Sequence, residues 1–150
     1  MKLGIADTMF ARVDMYKFVL KAIEDSGESV ETIRYTVPGI KDLPVASKKL
    51  FEECDVVVAL GMPGPEPIDK QCAHEASLGL IWAQLEAKKH ILEVFVHLDE
   101  GDEKTVRKVA KKRAYDHALN AVWLVNDPKR LSKLSGKGIR QGFENEGPIE

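Results

Sequence analysis

Two histidines are the residues of this chain best suited to moving a proton near neutral pH. His74 lies in the first turns of a predicted helix, beside a proline-rich loop, and His97 ends a predicted strand. His74 has an alternative interpretation as an ordinary solvent-exposed helix residue, and the mid-helix, inward-leaning position of His117 predicts a structural role. Because no two histidines share a metal-ligand spacing on one helix face, we predict no metal ligands and expect no tight zinc site.

A strand-to-helix corner at residues 36–46 offers a different chemistry, that of binding. Pro38 restricts the residue before it to extended geometry, and Gly39 permits a positive φ. Asp42 can cap the following helix, and Pro44 needs no amide partner in the first turn. Such a corner directs backbone amides and one carboxylate the same way, which suits a neutral, hydroxyl-rich ligand. The alternative is an ordinary turn with a good cap.

Phe10 follows the first predicted strand, and its ring can either stack on a flat heterocycle or cover the core. The loop at residues 61–64, Gly-Met-Pro-Gly, is not of the phosphate-cradling kind. It lacks the Gly-Lys-Ser/Thr ending, and proline removes an amide that would bind phosphate. The chain also has no Gly-x-Gly-x-x-Gly after the first strand and no Gly-x-Ser-x-Gly, which disfavours a dinucleotide fold and a covalent hydrolase.

The overall composition limits the class of protein. At 150 residues, 44% hydrophobic and 31% charged, the chain suits one domain with a proper core, residues 1–150, ending in a polar tail at 135–150. The net charge of −2 predicts no general attraction to nucleic acid or to an anionic membrane. Two distant cysteines, Cys54 and Cys72, fit neither a disulfide framework nor a metal spacing. With no signal peptide and no apolar run long enough to span a membrane, we expect a cytoplasmic protein.

Strands and helices alternate along the chain. Hydrophobic periodicity and turn residues predict strands over residues 3–6, 30–37, 55–60 and 91–97. The same signals predict helices over residues 13–26, 43–53, 69–87, 102–123 and 128–134. In the third helix, the positions expected to face inward are Ala73, Ala76, Leu80, Ile81 and Leu85.

This alternation predicts an α/β fold with a four-stranded parallel sheet in the order 2-1-3-4 and helices on both faces, a three-layer, flavodoxin-like domain. Ligands of such sheets bind at the carboxyl ends of the strands. The unusual turn chemistry follows those ends, at residues 7–10, 38–42, 61–64 and 97–99. The predicted site therefore lies at that edge of the sheet.

Six segments spread over the chain form a specific set when they are taken together. They are residues 7–14 (Asp-Thr-Met-Phe-Ala-Arg-Val-Asp), 36–46 (Thr-Val-Pro-Gly-Ile-Lys-Asp-Leu-Pro-Val-Ala), 59–64 (Ala-Leu-Gly-Met-Pro-Gly), 72–80 (Cys-Ala-His-Glu-Ala-Ser-Leu-Gly-Leu), 112–114 (Lys-Arg-Ala) and 136–144 (Gly-Lys-Gly-Ile-Arg-Gln-Gly-Phe-Glu). This set resembles the archaeal type of riboflavin synthase, which is similar to lumazine synthase in fold and ancestry.

The resemblance implies a homopentamer with active sites between neighbouring subunits. It implies a transferase that dismutates two molecules of 6,7-dimethyl-8-ribityllumazine, the last step of riboflavin biosynthesis. One lumazine donates a four-carbon unit to the other, which yields riboflavin and 5-amino-6-(ribitylamino)uracil. It implies no organic cofactor, while a divalent cation such as Mg²⁺ can assist. The alternatives are a lumazine synthase and a non-catalytic flavin-binding ring.

The resemblance also assigns roles to residues. Phe10 stacks on a ring, residues 40–42 grip the ribityl chain, and the backbone of residues 61 and 62 binds the pyrimidine. Our own hypothesis adds that a histidine, His74 or His97, moves the methyl proton. The predicted substrate-binding residues are Thr8, Phe10, Ala11, Ile40, Lys41, Asp42, Gly61, Met62 and Pro63, and the predicted catalytic residues are His74 and His97.

Two departures from lumazine synthase favour the dismutase. The loop after the third strand is shorter here, and Pro67 stands near the position of the lumazine synthase catalytic histidine. Arg113 falls near the arginine that binds substrate phosphate in lumazine synthase, but the shortened loop argues against a phosphate role for it here.

Overall fold

The computed structural model describes residues 1–149, so the last residue of the predicted tail, Glu150, lies outside the described residues. The sheet has four strands, β1 (Lys2–Thr8), β2 (Glu31–Val37), β3 (Val56–Gly61) and β4 (Ile91–Phe95). All of its pairings are parallel and the order is β2-β1-β3-β4, as the sequence predicts. The helices are α1 (Tyr16–Ser26), α2 (Leu43–Leu50), α3 (Pro67–Ala87), α4 (Glu103–Asn126) and α5 (Pro128–Leu134).

Helices cover both faces of the sheet, which makes three layers and confirms the flavodoxin-like α/β prediction. Every residue of β3 is buried, as expected for a central parallel strand covered on both sides. The side chains of Ile5 and Val58 pack in the core layer that includes α1 and α4. Those of Val57 and Ala59 pack in the layer that includes α2 and α3. Successive side chains of β3 point to opposite faces of the sheet, so this strand contributes to both core layers.

Several predicted boundaries are wrong by two or three residues. The first helix begins at Tyr16 rather than at residue 13, and α2 ends at Leu50 rather than at residue 53. β4 ends at Phe95, so His97 lies in the following loop. The fourth helix continues to Asn126, and the Asp127 carboxylate then accepts a hydrogen bond from the Arg130 N–H at the start of α5.

The prediction for the inner face of α3 is partly wrong. Ala73, Ala76 and Leu80 are buried, but Ile81 and Leu85 are exposed. Apolar residues occur nearly all round this helix, so its periodicity does not select one face. In the part of the chain that is described, no helix combines the length and the apolarity that crossing a membrane would need.

The loops at the carboxyl edge of the sheet are tied to one another. The Met9 N–H donates to the Val37 carbonyl (2.9 Å), which joins the loops after β1 and β2. The Leu98 N–H donates to the Pro63 carbonyl (3.0 Å), which joins the loops after β3 and β4. These bonds hold the predicted site loops in a fixed relation.

Candidate functional site

A cleft of about 340 Å³ lies where β1, β2 and β3 end, and we call it the Phe10 cleft. The Phe10 ring is 61% exposed, so it covers no core and offers a free face to a ligand. The predicted site residues that line this cleft are Phe10, Ile40, Lys41, Asp42, Met62 and Pro63. The other lining residues are Pro38, Gly39, Gly64, Asp69 and Cys72.

The corner that supplies half of this cleft differs from its predicted geometry. Gly39 is extended (φ −144°, ψ 170°), so its backbone needs no positive φ. Residues 40–42 form a single 3-10 turn before α2. The Asp42 carboxylate does not cap α2; it accepts a hydrogen bond from the Gly39 N–H (3.3 Å). Asp42 therefore stabilises the turn and still lines the cleft.

Lys41 is held by an ion pair with the third helix. Its Nζ lies 2.8 Å from Oε2 of Glu75. The hydrogen bond and the charge of Glu75 raise the pKa of Lys41, and the same contact lowers the pKa of Glu75. Both side chains are exposed, so the pair orients the lysine more than it stabilises the fold.

Gly61 lies beneath the cleft and does not line it. A Cβ at this position would come within 2.7 Å of the Phe95 ring and 2.9 Å of Cγ2 of Ile40. The Gly61 carbonyl accepts a hydrogen bond from the Val96 N–H (3.1 Å). The glycine therefore allows the end of β3 to pack closely against β4 and against the 40–42 turn.

Two predicted binding residues, Thr8 and Ala11, lie in another hollow of about 210 Å³. Its wall is a partly buried network in which Asp7 accepts hydrogen bonds from the Arg34 guanidinium (2.6 Å) and from the Thr36 hydroxyl (2.5 Å). The buried Thr8 hydroxyl has no hydrogen-bond partner among residues 1–149. The structure thus places Thr8 and Ala11 apart from the residues of the Phe10 cleft.

The predicted catalytic histidines share a further cavity, of about 460 Å³, which we call the histidine pocket. His74 comes from α3, and His97 comes from the loop after β4. The Nδ1 atom of His97 is buried and has no hydrogen-bond partner among residues 1–149. The remaining lining residues are Lys70, Ala73, Ser77, Glu93, Phe95, Glu100, Arg113, His117 and Phe143.

A partly buried ion pair supports this pocket. Both terminal nitrogens of Arg113 donate to the Glu100 carboxylate (2.8 and 2.7 Å), and one of them also donates to the Phe95 carbonyl (2.9 Å). Glu100 also accepts from the His97 N–H (2.8 Å). Burial alone would raise the pKa of Glu100, but the hydrogen bonds from Arg113 and His97 outweigh it, so the pKa lies below its ordinary value.

His117 has the structural role that the sequence predicts. Its Nδ1 lies 2.6 Å from the Arg113 carbonyl oxygen. A carbonyl only accepts, so Nδ1 carries the proton. Burial lowers the pKa of His117, which favours the neutral ring.

Among the lining residues that the sequence analysis missed are Glu93, Glu100 and Phe143. Burial raises the pKa of Glu93, which lies mid-strand and faces the pocket. A carboxylate inside the apolar run Ile-Leu-Glu-Val-Phe is a visible signal for it. Glu100 looks like any acidic residue before a helix, and Phe143 lies in a polar tail, so local pattern identifies neither.

The first turns of α3 separate the Phe10 cleft from the histidine pocket. Asp69 and Cys72 line the Phe10 cleft, whereas Lys70 and His74 line the histidine pocket. These pairs of positions point to different sides of one helix. Within one chain, Phe10 and the 38–42 corner therefore share one cavity, and the two predicted catalytic histidines share another. Within residues 1–149, no group of three His, Cys, Asp or Glu side chains is arranged to hold a metal ion.

Comparison with known proteins accounts for the whole chain. The family model for 6,7-dimethyl-8-ribityllumazine synthase matches residues 1–129. A protein of Methanothermobacter marburgensis named riboflavin synthase is 54% identical over 99% of both chains. A riboflavin synthase of Archaeoglobus fulgidus is 48% identical over 99% of both chains. Among solved structures, an NAD(P)H:quinone oxidoreductase from Methanothermobacter marburgensis matches 80% of this chain and 96% of its own at 12% identity, with a TM-score of 0.47. By its match to the family model and to these full-length relatives, this chain belongs to the lumazine synthase-like family, in the branch of the archaeal riboflavin synthases.

Proposed function

We propose that this protein is a riboflavin synthase that dismutates two molecules of 6,7-dimethyl-8-ribityllumazine to riboflavin and 5-amino-6-(ribitylamino)uracil. One observation of the structure carries the proposal: the Phe10 cleft and the histidine pocket, of about 340 and 460 Å³, lie on either side of the first turns of α3 at the site edge. Each falls in the usual range for ligand pockets, about 300–1,000 Å³. The names of the full-length relatives support the same reaction.

The Phe10 cleft suits one lumazine. The free face of Phe10 stacks on the flat ring, and Asp42 and the backbone of the 40–42 turn bind ribityl hydroxyls. The backbone near Met62 binds the pyrimidine edge. A neutral polyol needs such hydrogen-bonding groups and no phosphate-binding loop, in agreement with the Gly-Met-Pro-Gly sequence.

The substrate supplies much of the reactivity. The 7-methyl group of the lumazine is acidic because its anion delocalises into the ring. Between His74 and His97, we favour His97 as the group that accepts this proton, because no hydrogen bond at its Nδ1 fixes the ring within residues 1–149. A positioned base of this kind typically contributes roughly 10²–10⁴-fold in rate, and alignment of two reactants contributes up to about 7–11 kcal/mol.

The transfer of a four-carbon unit between two identical molecules balances atoms and electrons, so the reaction needs no external oxidant or reductant. Mg²⁺ is the cofactor to examine, although the described residues form no preorganised cage for it. Mg²⁺ commonly keeps several waters and binds through one or two carboxylates and the substrate. Turnover measured with EDTA and then with added Mg²⁺ would show whether the cation assists.

We propose that the active enzyme is a homopentamer in which the Phe10 cleft of one subunit faces the histidine pocket of its neighbour. The side chains of Leu78, Ile81, Trp82 and Leu85 form an exposed apolar stripe along α3, at spacings of three and four residues. A stripe of this kind marks a protein interface. Light scattering should give about five times the 16.7 kDa chain mass, and Trp82→Glu should lower it.

We infer that the enzyme works in the cytoplasm, because both of its cysteines are free thiols and one of them, Cys72, is partly exposed.

Incubation with the lumazine alone tests the reaction. Yellow riboflavin formed without a sugar phosphate indicates a dismutase. If product appeared only when 5-amino-6-(ribitylamino)uracil and a four-carbon sugar phosphate were supplied, the protein would be a lumazine synthase. Tight flavin binding without turnover would instead indicate a carrier. His97→Asn should reduce turnover more than His74→Asn does. A double variant as active as wild type would show that neither histidine takes part in proton transfer.

A further inference from the structure

The C-terminal tail after α5 folds back onto α4. The Gly142 N–H donates to the Asp116 carboxylate (3.1 Å), and the Asn120 amide donates to the Gln141 side chain (2.9 Å). The tail closes on itself through the hydrogen bond from the Glu146 N–H to the Gly138 carbonyl (2.9 Å). It is therefore an ordered turn anchored beside the histidine pocket.

Gly142 makes this anchoring possible. Its φ of +76° lies in the left-handed region, and a Cβ there would be 2.5 Å from Cγ of Arg113. Any other residue would be strained and would meet the arginine side chain. The tail backbone thus lies directly against Arg113, the residue that supports the histidine pocket through Glu100.

The next residue, Phe143, takes its position from this contact. The guanidinium carbon of Arg113 lies 4.4 Å from the centroid of the Phe143 ring, a cation–π distance. The ring lines the histidine pocket together with His74 and His97. The guanidinium carbon of Arg140 also lies 4.9 Å from this centroid, and the Arg140 side chain is 44% exposed. Phe143 is itself 46% exposed, so a ligand that displaces Arg140 can stack on the ring.

The comparisons differ in how far they extend along the chain. The lumazine synthase family model stops at residue 129, before the tail. The relatives named riboflavin synthase match 99% of both chains, so the match includes the tail. The tail is therefore shared with proteins named for dismutation and lies outside the family model of the condensing enzyme, whose reaction does not require a second lumazine.

We propose that Phe143, held on Arg113 by the tail, is the stacking platform for the second lumazine ring in the histidine pocket. It would be the counterpart of Phe10, which stacks on the first ring in the other cavity. The inference rests on the proposed riboflavin synthase function. It adds to that function a side chain, Phe143, that would bind the second of the two lumazine rings.

A calorimetric titration tests the proposal. The probe is a ribityllumazine with an oxo group in place of the 7-methyl, which cannot dismutate. We expect the wild-type protein to bind two analogues per subunit. Phe143→Ala should bind one analogue with unchanged affinity and the other with roughly 5- to 150-fold weaker affinity, the range for removal of an aromatic stack on a base. Phe143→Trp should keep both. Turnover of the true substrate should show a raised KM in Phe143→Ala and recovery in Phe143→Trp.

A pair of glycine variants separates docking of the tail from backbone strain. Gly136 has φ +78°, and a Cβ at that position would have no neighbouring atom within 4 Å, whereas a Cβ at Gly142 would meet Arg113. Gly142→Ala should therefore lose the second analogue, and Gly136→Ala should retain it.

The inference is wrong if Phe143→Ala binds two analogues and turns over with an unchanged KM, or if the wild-type protein forms riboflavin but binds a single analogue. A wild-type protein that forms no riboflavin from lumazine alone would overturn the proposed function, and the inference with it.

Discussion

Replacement of Glu100 by glutamine should destabilise the protein far more than its surface position suggests. The Arg113 side chain is 7% exposed and that of Glu100 is 26% exposed. Breaking a fully buried pair costs about 3–5 kcal/mol, and a hydrogen bond to a charged group contributes about 1.5–3 kcal/mol. Because Glu100 is partly solvated, we expect Glu100→Gln to lower the free energy of unfolding by about 2–3 kcal/mol.

Thermal and urea unfolding measure this loss. For a chain of this length each kcal/mol corresponds to about 2–4 °C, so Tm should fall by about 4–12 °C. Glu103→Gln is the matched control, since Glu103 lies three residues further along the chain and forms an exposed ion pair with Arg12. It should change stability by less than about 0.5 kcal/mol. Equal stability of the two variants would refute the role assigned to the buried pair.

The pH dependence gives an independent check. The pKa of Glu100 is lower in the folded protein than its ordinary value of 4.5. Its contribution to stability is therefore present above that ordinary value and is lost as pH falls through the folded-state pKa. The stability difference between wild type and Glu100→Gln should be full at pH 7 and should shrink below about pH 4.5. A difference that stays constant down to about pH 2.5 would contradict the ion-pair explanation.

Three further substitutions have defined outcomes. Phe10→Ala should weaken binding of a lumazine analogue by about 1–3 kcal/mol while leaving Tm unchanged, because the ring is exposed; unaltered affinity in a fluorescence titration would exclude stacking. Gly61→Ala should cost about 1–3 kcal/mol in urea unfolding, because the new Cβ would meet the Phe95 ring, and a neutral result would show that β4 can move aside. Glu93→Gln should be more stable than wild type at pH 8 but not at pH 4. Burial raises the pKa of the folded Glu93 carboxyl above 4.5, so wild type loses stability as pH rises through that pKa. A stability gain in Glu93→Gln that did not depend on pH would argue against this cause.

Much of the fold and part of the site follow from local sequence. The alternation of apolar strands and periodic helices specifies the parallel sheet, because a strand buried on both faces needs a helix on each side. The corner at residues 38–42 and the Gly-Met-Pro-Gly loop identify the site edge, since the carboxyl ends of parallel strands lie together. Errors fall where local signals compete: Asp42 can cap either the helix or the turn before it, and only packing selects the turn.

The sequence by itself determined the order of the elements, the edge at which the site lies and the family to which the chain belongs. Only the tertiary structure decided which side chains share a cavity. It set the first turns of α3 between the Phe10 cleft and the histidine pocket, buried Arg113 on α4, and brought Phe143 onto Arg113 from a polar tail. The physical reason is that residue periodicity encodes contacts within one element. Contacts between elements depend on how each helix is rotated and how closely its backbone approaches the next, which no local pattern records.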